Sequence, residues 1–290
     1  MRVASNKLQD MIAFYHSELH GVYEEKEIDA LLGVALEHFL GYSPAQIIMR
    51  SGNNINQSAL IKLYDCCKDL KKHLPIQYIL NVAWFYRLKF RVNNHVLIPR
   101  PETEELVDLI LRENKMPLSF LDIGTGSGCI PVALKKFSGT SKVAACDISA
   151  EALETAVENA ATNNCEVKFF KADILNTSDF QKTFGETVDV IVSNPPYIKF
   201  SEKESLDKHV VDQEPHLALF VEGDDPVIFY KKIIALCKTT LKPKGKLYFE
   251  LNPLTAEEVR IDAMASGLFE ETILLKDMSG NIRFLKATKF

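Results

Sequence analysis

Apolar residues recur at spacings of three and four through the early part of the chain. Leu8, Met11, Ile12, Tyr15 and Leu19 form one series. Ile28, Leu31, Leu32, Ala35, Leu36 and Phe39 form a second, and Gly41 follows where a helix should stop. Ser43-Pro44 fits the start of a third helix with proline at its first position. Leu60, Leu63, Tyr64 and Leu70 mark a fourth over 56–73. No strand pattern interrupts them, so residues 1–74 are expected to form a small helical bundle. Pro75 ends this periodicity. Trp84, Phe85, Tyr86, Leu88, Phe90 and Val92, then Val96, Leu97 and Ile98, favour strands, with Asn93-Asn94 as the tight turn between two runs. Residues 75–100 are therefore expected to form a β-hairpin linker.

From Pro101 onward the pattern alternates. It predicts helices over 103–112, 129–137, 150–163, 227–241 and 256–266. It predicts strands over 118–123, 142–147, 166–172, 188–193, 246–251, 269–276 and 281–287. Alternating strands and helices build a largely parallel sheet covered on both faces, so 101–290 reads as an α/β domain.

Composition adds limits. A hydrophobic share of 47% with 25% charged residues is that of a globular chain. The formal net charge of -5 counts against nucleic acid as the main partner, because gripping a phosphate backbone requires clustered Lys and Arg. Cys66, Cys67, Cys129, Cys146, Cys165 and Cys237 lack zinc-site spacing and read as free thiols in a reducing compartment. Asp10, His16, Glu18 and His20 stand where a signal peptide needs an apolar run, and no apolar stretch reaches the length of a membrane span. A cytoplasmic protein without membrane association is expected. His209, Asp212 and His216 lie near one another but read as solvated loop residues, so no metal is expected.

The segment from Leu121 to Gly128 ends a strand and opens a helix. Gly124, Gly126 and Gly128, with Thr125 and Ser127 between them, let the backbone turn sharply and approach a ligand. Alone, such a turn is a weak signal: dinucleotide and nucleotide sites use similar ones, and a plain tight strand-to-helix connection is the alternative. Asp147 ends the next strand, where a βαβ unit sets an acid against a ribose, and that suits any adenosine-type cofactor, NAD included. Asp173 ends the following strand and could accept from an adenine amino group, with Ile174 offering an apolar surface to the ring; otherwise Asp173 caps a turn.

Ser193-Asn194-Pro195-Pro196-Tyr197 follows the apolar strand over 188–193. Two prolines cannot extend a sheet ladder, and they stiffen the backbone at the strand's carboxyl end. Asn194 offers a side-chain carbonyl, Pro195 a backbone carbonyl and Tyr197 a flat face, a set suited to a planar group bearing an NH2.

Asn-Pro-Pro-Tyr resembles the acceptor motif of methyltransferases that modify amino groups on planar systems: DNA adenine, some RNA guanine and protein glutamine enzymes. The segment Leu97-Ile98-Pro99-Arg100-Pro101-Glu102-Thr103-Glu104-Glu105 resembles the signature of the release-factor glutamine methyltransferases, the PrmC/HemK family. Gln77-Tyr78-Ile79, Asp147-Ile148-Ser149, Glu214-Pro215 with Ala218-Leu219, and Asp277 with Gly280 and Arg283 also look like family positions. The resemblance covers essentially the whole chain. It implies a Rossmann-like class I S-adenosylmethionine-dependent methyltransferase domain behind a small N-terminal helical bundle and a β-hairpin linker. It implies S-adenosyl-L-methionine as cofactor and the glutamine of the Gly-Gly-Gln motif of peptide chain release factors as substrate, docked by the bundle. By residue, it implies cofactor contacts from Gly124, Thr125, Gly126, Ser127 and Gly128, from Asp147 and Ile174, and from Arg100 at the methionine part; Asp173 and Asn194 are further expected cofactor contacts. It gives Asn194, Pro195, Pro196 and Tyr197 to the glutamine amide. Segments 251–255 and 224–227 depart from the family pattern, which bears on substrate docking and not on reaction type. A ribosomal-protein glutamine, a nucleic-acid amino group, or a cofactor-binding module without catalysis are the other readings.

Overall fold

The computed structural model describes residues 3–115, 117–139, 141–199, 213–221, 223 and 225–290, the side chains of 177–179 excepted. They form two compact units, Met1–Asn81 and Val82–Phe290.

The first unit is helical: α1 (Leu8–Leu19), α2 (Glu25–Leu40), α3 (Pro44–Met49), α4 (Gln57–Leu70) and α5 (Ile76–Leu80). The stripes Met11, Tyr15 and Leu19 of α1, Ile28, Leu32 and Leu36 of α2, and Leu63, Cys66 and Leu70 of α4 are all buried. The Tyr15 hydroxyl donates to the Leu63 carbonyl at 2.7 Å, so its polar end is satisfied inside the core. Gly41, at φ 67°, closes α2 in the left-handed region. Ser43 and Gln46 form a reciprocal capping box at the start of α3. Residues 76–80, expected as strand, are the helix α5. A short apolar run carries no period of its own, and here it packs against α2 and α4.

The second unit opens with a hairpin, β1 (Ala83–Phe85) and β2 (Leu88–Phe90). Its turn is Tyr86-Arg87, both at positive φ (46° and 64°), and not Asn93-Asn94. Asn93 instead accepts from the His95 N–H at 2.9 Å, a local Asx turn that ends strand structure. Then follow α6 (Pro101–Glu113), β3 (Ser119–Ile123), α7 (Cys129–Phe137), β4 (Lys142–Asp147), α8 (Ala150–Thr162) and β5 (Lys168–Lys171). They are succeeded by α9 (Thr177–Phe184), β6 (Val188–Ser193), β7 (Ile198–Lys199), α10 (His216–Leu219), β8 (Phe220–Val221), α11 (Ile228–Thr240), β9 (Leu241–Glu250), α12 (Ala256–Ala265), β10 (Phe269–Lys276) and β11 (Ile282–Lys289). The elements α9, α10, β7 and β8 have no counterpart in the sequence expectation. β9 starts earlier than expected because a register shift against β6 absorbs Pro243 and Gly245, which read as strand breakers.

The main sheet runs β10-β11-β9-β6-β3-β4-β5. β9, β6, β3, β4 and β5 are mutually parallel, and β11 is antiparallel to both its neighbours. Side chains alternate between the two faces. Leu121, Ile123, Ile191, Leu247 and Phe249 join one core with α11 and α12. Phe120, Val190, Val192 and Tyr248 join the other with α6, α7 and the hairpin's Phe85 and Phe90. Among the described residues no helix is long and apolar enough to cross a membrane.

One buried side chain ties three segments together. The Asn159 carboxamide accepts from the Arg91 N–H at 2.6 Å and donates to the carbonyls of Arg91 and Ser127, each at 2.9 Å. It fastens the stretch after the hairpin to α8 and to the glycine turn. Asn159→Ala leaves those backbone groups unpaired and is expected to cost about 1–3 kcal/mol of stability. The check is the midpoint of urea unfolding, which should fall; an unchanged midpoint would mean that water replaces the carboxamide.

Candidate active site

The parallel strands β3, β4, β6 and β9 end at one edge of the sheet. The chain passes from β3 outward to β4 and β5, and then returns to the other side for β6 and β9. Such a reversal opens a crevice beyond the strand ends, where α/β sheets bind ligands. The last pair between β3 and β6 is Ile123 with Ser193, and the Ser193 hydroxyl donates to the Ile123 carbonyl at 2.6 Å. Beyond it the two chains part. The N–H groups of Gly124 and Thr125 both donate to the Cys146 carbonyl at 3.0 Å, while Asn194 leads into Pro195-Pro196.

A cavity of about 470 Å³ fills the crevice. Gly124 (φ 76°) and Gly126 (φ 53°) border it, and a Cβ on either would meet nothing within 4 Å, so a ligand can reach their backbone. Gly128 answers a different need: a Cβ there would sit 3.0 Å from the Ala156 Cβ, so this glycine permits α7 to pack on α8. Thr125 and Ser127 are buried and stand outside the cavity wall. Asp147 lines the cavity, its two oxygens accepting from the N–H groups of Gly126 (2.8 Å) and Ser149 (3.0 Å). Burial raises its carboxyl above the usual range, against those hydrogen bonds. Asp173 also lines the cavity while accepting from the Leu175 N–H at 2.9 Å, so it caps a turn as well. Ile174, Leu175 and Phe229 supply apolar wall.

A second, smaller pocket of about 130 Å³ is lined by Arg100, Tyr197, Ile198, Leu219 and Glu250. Leu97, Asn194, Pro195 and Ala218 belong to the walls of both spaces. Pro196 faces only the larger and Tyr197 only the smaller. Burial and the charge of Glu250 push the Tyr197 phenol up to about 12, so its ring stays neutral. Arg100 donates to Glu214 at 2.6 Å and borders the smaller pocket and not the larger. The two-residue pair of β7 and β8 joins the exit of the Asn-Pro-Pro-Tyr segment to the strand after α10.

Three acids are buried around the site: Asp122 and Glu250, which were not singled out from sequence, and Glu214, which was named only as a family position. Both carboxylate oxygens of Asp122 lack a hydrogen-bond partner among the described residues, and burial together with the charge of Asp147 pushes its carboxyl up to about 7. Glu214 holds Arg100. Glu250 accepts from the Thr103 hydroxyl at 2.7 Å, and burial pushes it up to about 7. The signal for Glu250 was available: an acid closing an apolar strand marks the ligand edge of such a sheet. Of the trio His209, Asp212 and His216, the first two lie outside the described residues, as does Asp224 of the departing segment 224–227.

Residues 11–80 match the family described as PrmC N-terminal domain, and residues 103–217 the family described as methyltransferase small domain. A release factor glutamine methyltransferase of Flavobacterium psychrophilum is 40% identical over 92% of this chain and 94% of its own. One of Bacteroides thetaiotaomicron is 39% identical over 96% and 98%. Among solved structures, a methyltransferase from Pyrococcus furiosus shares the fold, with a TM-score of 0.50 and 19% identity over 81% of this chain and 99% of its own. The matched spans take in most of the helical unit and both the glycine turn and the Asn-Pro-Pro-Tyr segment, and the chain belongs to the release factor glutamine methyltransferase family, S-adenosylmethionine-dependent enzymes of the class I methyltransferase fold.

Proposed function

We propose that this chain methylates the side-chain amide nitrogen of a glutamine in a peptide chain release factor, in the cytoplasm. The observation that carries the reading is the position of Asn194 and Pro195 in the wall shared by two adjoining pockets. A donor group in the larger space and a flat amide in the smaller would meet at these two residues.

The larger cavity fits S-adenosylmethionine. Each Asp147 oxygen uses one lone pair on a backbone N–H and keeps another for a ribose hydroxyl. Gly124 and Gly126 leave room for close approach, Ile174 offers its face to the adenine, and Asp173 can accept from the adenine amino group. The cofactor supplies an electrophilic methyl carbon on a positively charged sulfur. Arg100, Thr125, Ser127 and Gly128 shape the surroundings, with Arg100 held toward the acceptor pocket by Glu214.

An amide nitrogen is a weak nucleophile because its lone pair is shared with the carbonyl. Alignment therefore supplies much of the catalysis, worth up to about 7–11 kcal/mol in favourable cases. The Asn194 side-chain oxygen and the Pro195 carbonyl would accept the two amide hydrogens. Pro196 keeps that backbone stiff, and the Tyr197 ring covers the amide plane. Both carbonyl dipoles favour the positive charge that grows on nitrogen in the transition state, and the methylated, strongly acidic amide would then give up its extra proton to a carbonyl or to water. The helical unit 1–81 serves as the docking element for the protein substrate.

Asp147→Ala should weaken cofactor binding by about 1–3 kcal/mol, through loss of a charged acceptor for the ribose. Titration calorimetry measures this, and full affinity would reduce Asp147 to a strand-end acid. Asn194→Ala should lower single-turnover methyl transfer to release factor by roughly 10²–10³ while cofactor affinity changes far less. Wild-type turnover in that variant would sink the amide clamp. A chain beginning at Val82 should still bind cofactor yet modify intact release factor poorly; full activity would remove the docking role of the helices.

A further inference from the structure

We propose that Glu250 and Thr103 are a positioning pair that fixes which end of the Asn194 carboxamide faces the acceptor pocket, an inference resting on the acceptor role of Asn194 argued above. A carboxamide is nearly symmetric in shape but not in polarity. Only its oxygen can hold an incoming NH2; turned over, it presents two donors to two donors.

The surroundings of Asn194 choose between the two. Its Nδ2 donates to the Thr103 hydroxyl at 3.4 Å, and that hydroxyl donates to Glu250 Oε2 at 2.7 Å. The single hydroxyl proton of Thr103 is committed to Glu250, so toward Asn194 the hydroxyl acts as acceptor. This contact demands that the NH2 end points to the pair, leaving the oxygen for the substrate. Thr103 and Glu250 are each 3% exposed and come from α6 and the end of β9.

The charge on Glu250 sets the polarity of the chain. A carboxylate only accepts, and this orders every donor toward it. A protonated carboxyl donates; the Thr103 hydroxyl can then accept from it and donate onward to the Asn194 oxygen, and the amide is held the wrong way round. Burial pushes Glu250 up to about 7, so the reversal falls near neutral pH. Arg283 on β11 favours the charged form and Glu102 on α6 opposes it. Tyr197 beside the pocket, Tyr230 on α11 and Cys129 on α7 also face the carboxyl. Arg283 is itself shared with Asp277, at 3.4 Å.

The test is single-turnover methyl transfer to release factor on both sides of pH about 7, with cofactor affinity measured on each variant. In the wild type the rate should rise with pH through that range. Glu250→Gln should lose the step and run about tenfold below the wild-type plateau, with cofactor affinity changed by less than about threefold. Thr103→Val should fall likewise, and Thr103→Ser should retain most of the rate. Wild-type turnover in Glu250→Gln, a surviving pH step, or a cofactor affinity that falls in proportion to turnover would overturn the pair. The Asn194 side-chain NH2 signals in a nitrogen-15 spectrum, assigned by their loss in Asn194→Asp, give a reading that needs no substrate. They should move with pH in the wild type and stay still in Glu250→Gln. Signals that titrate in a protein unable to methylate release factor would defeat the substrate reading and keep the pair; methyl transfer with immobile signals would defeat the pair alone.

Discussion

The hydrogen bond from Ser193 to the Ile123 carbonyl is the point from which the rest of the site is measured. It locks two neighbouring parallel strands at their last shared register, and beyond it the chains turn to opposite sides. One side carries the glycine turn and Asp147, the other the two prolines and Tyr197. The separation between a donor group and an acceptor group is then fixed by sheet geometry, which is stiff, and not by loop geometry. Both pockets inherit that stiffness because Asn194 directly follows the locked serine.

Around this edge the protein concentrates acids that it takes out of water. Burial raises Asp122, Asp147, Glu214 and Glu250 alike, but each is handled differently. Asp147 is offset by backbone N–H groups, Glu214 by a guanidinium and Glu250 by a hydroxyl, while Asp122 has no hydrogen-bond partner among the described residues.

How much of this could be read from the chain depended on range. Cys129–Phe137, Lys142–Asp147 and Val188–Ser193 were legible to the residue because each is a strongly apolar or periodic segment bounded by turn chemistry. Gly124, Gly126, Asp147 and Asn194 were legible as neighbours because they fall at strand ends in a fixed order, and all four line the larger cavity. The hairpin turn at Tyr86-Arg87 was not, since neither residue advertises a positive φ. Residues 76–80 show the same limit from the other side: packing against α2 and α4 decided a run too short to show a period. Gly128 reads like its two neighbours in sequence, yet its constraint comes from Ala156 on another helix. The bond between Thr103 and Glu250 joins residues 147 apart, and no local pattern predicts it.

The walls contributed by Ile174, Leu175, Phe229 and Ile233 make the larger cavity an apolar socket around a few polar anchors. Covering such surface lowers the heat capacity of the complex relative to its parts. The enthalpy of cofactor capture therefore becomes more favourable as temperature rises, while the entropic gain from released water fades. Affinity changes only gently with warming, even as its thermodynamic origin shifts from solvent to contacts. With the cofactor held there as proposed, the same capture would stabilise the second unit by mass action, and cofactor supply and heat resistance would be linked through the composition of those walls.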